Sequence, residues 1–190
     1  MSAEVPPIRV LAIAGSLRKG SVNKALVRAA IQVAPPGVIV EDFGDLGDIP
    51  LFNEDIEKET PGKVKTLKAK VAAADAILMA TPEYNNSVPG VLKNAIDWAS
   101  RPMGDNSFED KPVAIMSGGG HTGGFRAQLH LRHIFVYLNV HPVNKPQVAI
   151  TNAKTKLDAS GEFTDPAIRD SVRQLLVALD VWTRRLKNAG

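Results

Sequence analysis

What most constrains the fold of this chain is an alternation of two hydrophobic periods. Short apolar runs rich in valine and isoleucine recur at Ile8 to Ala14, Val38 to Phe43, Ala76 to Ala80, Pro112 to Met116 and Val148 to Ile150, and their length and β-branched content predict strands. The segments between them carry stripes at helical spacing. Leu26, Val27, Ala30, Ile31 and Ala34 form one, Val64, Leu67, Val71 and Ala74 a second, and Val91, Leu92, Ala95, Ile96 and Ala99 a third. A fourth helix is predicted from Phe125 to Leu138. A terminal helix carries Ile168, Val172, Leu175, Leu176, Leu179 and Leu186, with Thr164 or Asp165 as its cap and Pro166 in its first turn.

Strands that alternate with helices predict a parallel sheet covered on both faces, because parallel neighbours need connections long enough to hold a helix. Five strands suit an α/β, flavodoxin-like sheet in the order 2-1-3-4-5, and 190 residues with 44% hydrophobic content suit one domain over residues 1–190. Ligands of such sheets sit beyond the carboxyl ends of the strands. The loops after the first, third and fourth runs are therefore the ones to read for chemistry.

Composition removes several kinds of chemistry. The chain has no cysteine, which excludes disulfides, thiolate nucleophiles, cysteine-ligated zinc and cysteine-bound iron–sulfur clusters. Redox chemistry would need a bound cofactor. The formal charge is +3, but Lys58, Lys63, Lys65, Lys68 and Lys70 are mixed with Glu57 and Glu59, so no pure basic stripe marks a nucleic-acid surface. The opening MSAEVPPIRV lacks the basic and apolar regions of a leader, and charges or prolines interrupt each apolar run before the roughly 18 residues of a membrane helix. A cytoplasmic protein without membrane insertion is expected.

The first loop, GSLRKGSVN from Gly15 to Asn23, misses a nucleoside-triphosphate loop by one residue: Ser21 stands where that motif has lysine. The lysine would hold the β- and γ-phosphates, and the third strand ends in Ala80 and Thr81 with no aspartate to help hold magnesium, so a triphosphate is disfavoured. A terminal monophosphate asks for less. Ser16, Ser21, Asn23 and Arg18, set before a helix N-terminus, can supply it.

The second loop, TPEYNNSVPGVLKNAIDW from Thr81 to Trp98, is stiffened by Pro82 and Pro89 and presents Tyr84 among Asn85, Asn86 and Ser87, which suits a flat ring rich in heteroatoms. Trp98 is expected in the core or an interface. The third loop, SGGGHTGGF from Ser117 to Phe125, spells a dinucleotide fingerprint with Gly118, Gly120 and Gly123. That motif needs an acid about 20 residues on for the ribose, yet no Asp or Glu occurs between Asp110 and Asp158. What remains is a glycine backbone that can approach a planar ligand, with Ser117 as a small donor. His130 and His133 lack the companions of a metal site, and neither Ser16 nor Ser117 sits in a nucleophile elbow.

Together GSLRKGSVN, TPEYNNSVPGVLKNAIDW and the glycine-rich segment resemble the NAD(P)H-dependent FMN reductase family, which includes bacterial quinone, chromate and azo-dye reductases. The resemblance runs from about Ile8 to Ile150, and PEYN with PG-LKNAIDW is its most specific part. It implies phosphate contacts from Ser16, Arg18, Ser21 and Asn23, and flavin contacts from Pro82, Glu83, Tyr84, Asn85, Ser117, Gly118 and Gly120. It also implies FMN as cofactor, NADPH or NADH as co-substrate, a small-molecule electron acceptor such as a quinone, flavin, azo compound or chromate, and a homodimer or homotetramer. Hydride would pass from NAD(P)H to the flavin N5 and electrons then to the acceptor, with no protein acid, base or nucleophile. An electron-transfer flavodoxin or a module that merely carries FMN are the alternatives. Many members of the chromate and quinone reductase subgroup have tyrosine where Asn86 stands. Arg101, followed at once by Pro102 and Gly104, reads either as a helix C-terminal cation favoured by the dipole or as a group at the mouth of the flavin site that draws in anionic substrates. The apolar residues on more than one side of the helix from Phe125, among them Leu129 and Val136, also point to a homo-oligomer.

Overall fold

The computed structural model describes residues 6–189; the first five residues of the MSAEVPPIRV stretch lie outside it. The first four strands are β1 (Ile8–Ala14), β2 (Val38–Asp42), β3 (Ala76–Thr81) and β4 (Pro112–Gly118), and they pair in parallel in the order β2-β1-β3-β4. The fifth lane differs from the single strand expected. It is filled in two pieces, β5 (His141–Pro142) against Pro112 and Val113, and β6 (Val148–Ile150) against Met116 to Gly118. The N–H of Val143 still donates to the Val113 carbonyl at 2.8 Å, and the chain then leaves the ladder over residues 144–147. Pro146 in that gap has no N–H to offer a neighbouring strand.

Five helices cover the sheet: α1 (Val22–Gln32), α2 (Gly62–Ala73), α3 (Gly90–Ala99), α4 (Phe125–Tyr137) and α5 (Pro166–Lys187). Alternation within each strand divides the core into two layers. Val10, Ala12 and Ala14 of β1 pack with α1 and α5, through Leu26, Val172, Leu176 and Leu179. Leu11 and Ile13 face the opposite way, toward Val64, Leu67, Leu92, Ile96 and Leu131 of α2, α3 and α4. The central strands β3 and β4 are buried along their whole length, which is why their sequences read as unbroken apolar runs.

Helix starts follow local chemistry. Ser21 caps α1, its hydroxyl accepting from the N–H groups of Asn23 (3.2 Å) and Lys24 (3.4 Å), a cap typically contributing about 1 kcal/mol. Asp165 caps α5 by accepting from Ala167 at 2.8 Å, with Pro166 in the first turn. Two side chains of α3 tie down the segment that crosses from β2. Asn94 accepts from the Phe52 N–H (2.7 Å) and donates to the Pro50 carbonyl (2.9 Å), which Trp98 Nε1 also meets at 2.8 Å. Trp98 is thus a core residue with its polar atom satisfied. No helix among the described residues is long and apolar enough to cross a membrane.

Candidate functional site

Three loops converge at the carboxyl end of the sheet. β1 is followed by Gly15, whose N–H continues the ladder by donating to the Ala80 carbonyl at 2.8 Å. A β-carbon at Gly15 would lie 2.9 Å from Leu92 Cδ2, so glycine is required by the close approach of α3. Beyond it the chain turns into α1, and the N–H groups of Lys19, Gly20, Ser21 and Val22 have no acceptor among the described residues. Those of Ser21 and Val22 are free donors of the helix N-terminus, and those of Lys19 and Gly20 lie just before it. Arg18 is exposed beside them with no acidic partner among the described residues. The Ser16 hydroxyl accepts only a long contact, 3.4 Å, from the Arg18 N–H.

In the second loop, Tyr84 and Ser87 exchange backbone hydrogen bonds (3.1 and 3.0 Å) across Asn85 and Asn86, whose φ angles are 49° and 62°. This is a two-residue hairpin turn that demands two left-handed residues, and asparagine tolerates that conformation better than most. Glu83, with its side chain 11% exposed, reaches across to α4. Its carboxylate accepts from the Arg126 N–H at 2.9 Å, the Arg126 guanidinium at 3.2 Å and the Thr122 hydroxyl at 3.2 Å. Burial pushes its pKa up, but these donors outweigh burial and hold it below the usual carboxylate range. Glu83 thereby caps α4, which begins at Gly124 with no capping side chain of its own. Asn86 accepts from the same guanidinium at 3.0 Å.

The third loop is held from inside. Ser117 is fully buried and donates to the Gly123 carbonyl at 2.6 Å while Gln128 donates to it at 2.7 Å. Gly124, at φ 87°, brings its α-carbon so close that a β-carbon would lie 2.8 Å from that of Ser117. Asn23 exchanges two 2.9 Å bonds with the backbone of Gly118, locking α1 to the end of β4.

These loops enclose a cavity of about 380 Å³. Of the residues singled out in the sequence, Ser16, Arg18, Ser21, Asn23, Pro82, Glu83, Tyr84, Gly118 and Gly120 line it, while Asn85 and Ser117 do not. The structure does not bring Arg101 there. It follows the last turn of the ten-residue α3, about 15 Å from the loop that opens that helix, with its guanidinium 3.3 Å from Glu54 and over the Phe52 ring. Conversely, Asn152, Lys154 and Thr155, from the short turn after β6, line the cavity and were not singled out. Their signal was positional: they too follow a strand at its carboxyl end.

A larger hollow of about 590 Å³ lies at the other end of the sheet, between Ala72 to Asp75, Pro112 and Lys187. Its charges are spoken for. Lys111 donates to the carbonyls of Ala72 and Ala74 at 2.8 and 2.7 Å, Lys187 pairs with Asp75, and His141 with Asp110. The free main-chain donors before α1 and the unpaired Arg18 are at the carboxyl end.

A parallel sheet in this order, with a donor-rich cavity that spans a free helix N-terminus and a glycine-walled slot beside a tyrosine, defines a flavodoxin-like protein built for a mononucleotide. The donor set fits a phosphate monoester: hydroxyls, main-chain N–H groups and a guanidinium, with the single acid of the wall committed elsewhere. Sequence relationship settles the class further, for the chain belongs to the NADPH-dependent FMN reductase family, whose profile matches residues 8–155. It is accordingly an oxidoreductase that uses FMN and NAD(P)H. It is 49% identical over 182 residues to an NAD(P)H-dependent FMN reductase of Pseudomonas aeruginosa, covering 95% of this chain and 97% of the relative. It is 43% identical over 194 residues to an NADPH:quinone oxidoreductase of Arabidopsis thaliana, covering 98% and 97%. Among solved structures, FerB, an NAD(P)H:(acceptor) oxidoreductase of Paracoccus denitrificans, superimposes with a TM-score of 0.83 at 32% identity, over 94% of this chain and 98% of that one.

Proposed function

We propose that the cavity holds FMN with its phosphate at Ser16, Arg18 and Ser21 and its ring between the Pro82–Tyr84 segment and the glycine loop, and that the enzyme passes electrons from NAD(P)H to quinones. Bound FMN supplies the redox chemistry, taking two electrons from NAD(P)H and giving them to the acceptor. The chain's own part is to bind and orient. The donors before α1 fix the phosphate, Pro82 stiffens the segment beside the ring, and Gly118 and Gly120 keep that wall free of side chains. The observation that carries the proposal is the set of unmatched donors at one end of the cavity, Arg18 and the main-chain N–H groups before α1, in a wall whose one carboxylate, Glu83, is committed to Arg126 and Thr122.

Quinones come first among acceptors because relatives named as quinone reductases match nearly the whole chain. Free flavin, azo compounds and metal oxyanions such as chromate follow as acceptors of the same open face. Assaying NADPH and NADH consumption with a quinone, and then with each other acceptor, tests the reading. Steady quinone-dependent consumption is expected. A yellow protein that consumes neither dinucleotide with any acceptor would overturn it in favour of a flavodoxin-type carrier or a passive FMN module.

A homo-oligomer is part of the same proposal. On α4, Leu129, Val136 and Tyr137 are 47%, 82% and 80% exposed, a run of apolar surface that a second copy of the chain would cover.

A further inference from the structure

We infer that Lys154 is a second cation for the phosphate end of this cavity, facing the one that Arg18 supplies, and that it helps set selectivity for a phosphorylated flavin. This rests on the FMN reading above and names a residue for it.

The turn that carries Lys154 is fixed in place by the site itself. Asn152 takes a left-handed conformation, φ 49°, and its N–H donates to the Gly120 carbonyl at 2.8 Å; the next N–H, of Ala153, donates to Gly119 at 2.9 Å. Ala153 is fully buried. A β-carbon placed on Gly118 would lie 3.2 Å from both Ala153 Cβ and Val22 Cγ2. The turn after β6 and the first residue of α1 therefore press on the same glycine. That puts Lys154 beside the helix N-terminus where the free N–H groups lie. Lys154 lines the cavity, whereas Lys156, two residues on, borders a separate hollow with Asp158 and Asp165.

Charge balance supplies the second reason. A phosphate monoester carries about −1.5 to −2 charges near neutral pH. Arg18 offers one positive charge and a helix N-terminus roughly half of one. That leaves up to about half a charge for a further cation to balance, and Lys154 is the other cation in the wall, with no acidic partner among the described residues. Glu83, the only acid of the wall, is held by Arg126, Thr122 and the start of α4.

The test is done on protein freed of flavin, by measuring dissociation constants for FMN and for riboflavin from the quenching of flavin fluorescence. Lys154→Ala should weaken FMN binding about three- to tenfold, because the contact is charge-assisted but exposed, and leave riboflavin unchanged. Lys154→Arg should restore FMN binding, Lys156→Ala should match wild type, and the loss in Lys154→Ala should shrink in high salt. The inference is overturned if Lys154→Ala binds FMN as wild type does, if Lys156→Ala weakens it equally, or if the only change is in discrimination between NADPH and NADH. A wild-type protein that binds FMN no better than riboflavin would instead overturn the FMN reading itself.

Discussion

Asn23 sits one residue inside α1 and spends both ends of its amide on the backbone of Gly118, so its part at the cavity is to hold two walls together. Ser117 does the same for the glycine loop through Gly123 and Gln128. Ser16, Arg18 and Ser21 keep capacity for a ligand, and Arg18 is the charged member. Arg18→Ala is expected to weaken FMN binding by about 1.5–3 kcal/mol, ten- to a hundredfold, with little change for riboflavin; titrating the apoprotein with each flavin measures it. Glu83 makes a different prediction. Its folded-state pKa is lowered, so its stabilisation is fully present above the ordinary carboxylate range and is lost as pH falls through the folded-state value. Glu83→Gln should therefore lower apoprotein stability at neutral pH by about 1–2 kcal/mol, discounted for the half-exposed Arg126. The gap from wild type should close in acid. Urea unfolding at several pH values reads both, and a gap that does not change with pH would reject the assignment.

At the scale of elements, α3 does two jobs that one sequence motif encodes. Its N-terminus follows the Tyr84–Ser87 turn beside the cavity, while Asn94 and Trp98 of the KNAIDW segment hold the Pro50–Phe52 stretch. Asn94→Ala leaves the Phe52 N–H without its acceptor, and a loss of about 1–3 kcal/mol is expected in urea unfolding of the apoprotein, with flavin selectivity unchanged. β1 to β4 and the helices were legible because buried strands and amphipathic helices leave opposite periods in the sequence. Those strands and α5 fall within two residues of the runs read from it. β5 was not legible, since His141 and Pro142 carry no apolar run. The site was legible where glycine, proline and hydroxyl residues cluster after a strand. Lys154 was missed because its turn has no period and its place at the cavity comes from where β6 delivers it. Arg101 was placed by its neighbours in sequence, and the rigid length of α3 carries it away.

At the scale of the whole molecule, the two apolar layers are complete within one chain, yet α4 leaves Leu129, Val136 and Tyr137 toward solvent. Wild-type protein is expected to run as a dimer or tetramer in light scattering at micromolar concentration. Val136→Glu, at a position 82% exposed, should lower that mass without unfolding the chain, because a charge on a free surface costs little and one at an interface a great deal. A wild-type monomer would reject the oligomer.

The divided fifth lane bears on a different hazard. An open parallel sheet ends in two strands whose outer N–H and C=O groups can recruit a stray chain, the first step of aggregation. Here one border offers segments of two and three residues, parted by a bend that contains Pro146, too short and too discontinuous to template a partner. The other border, β2, ends in Asp42 and in Glu41, which pairs with Lys70, and charged side chains on an edge strand blunt pairing with another chain. The break in the sheet thus leaves its own flank unfit for the pairing that would turn folded molecules into fibres.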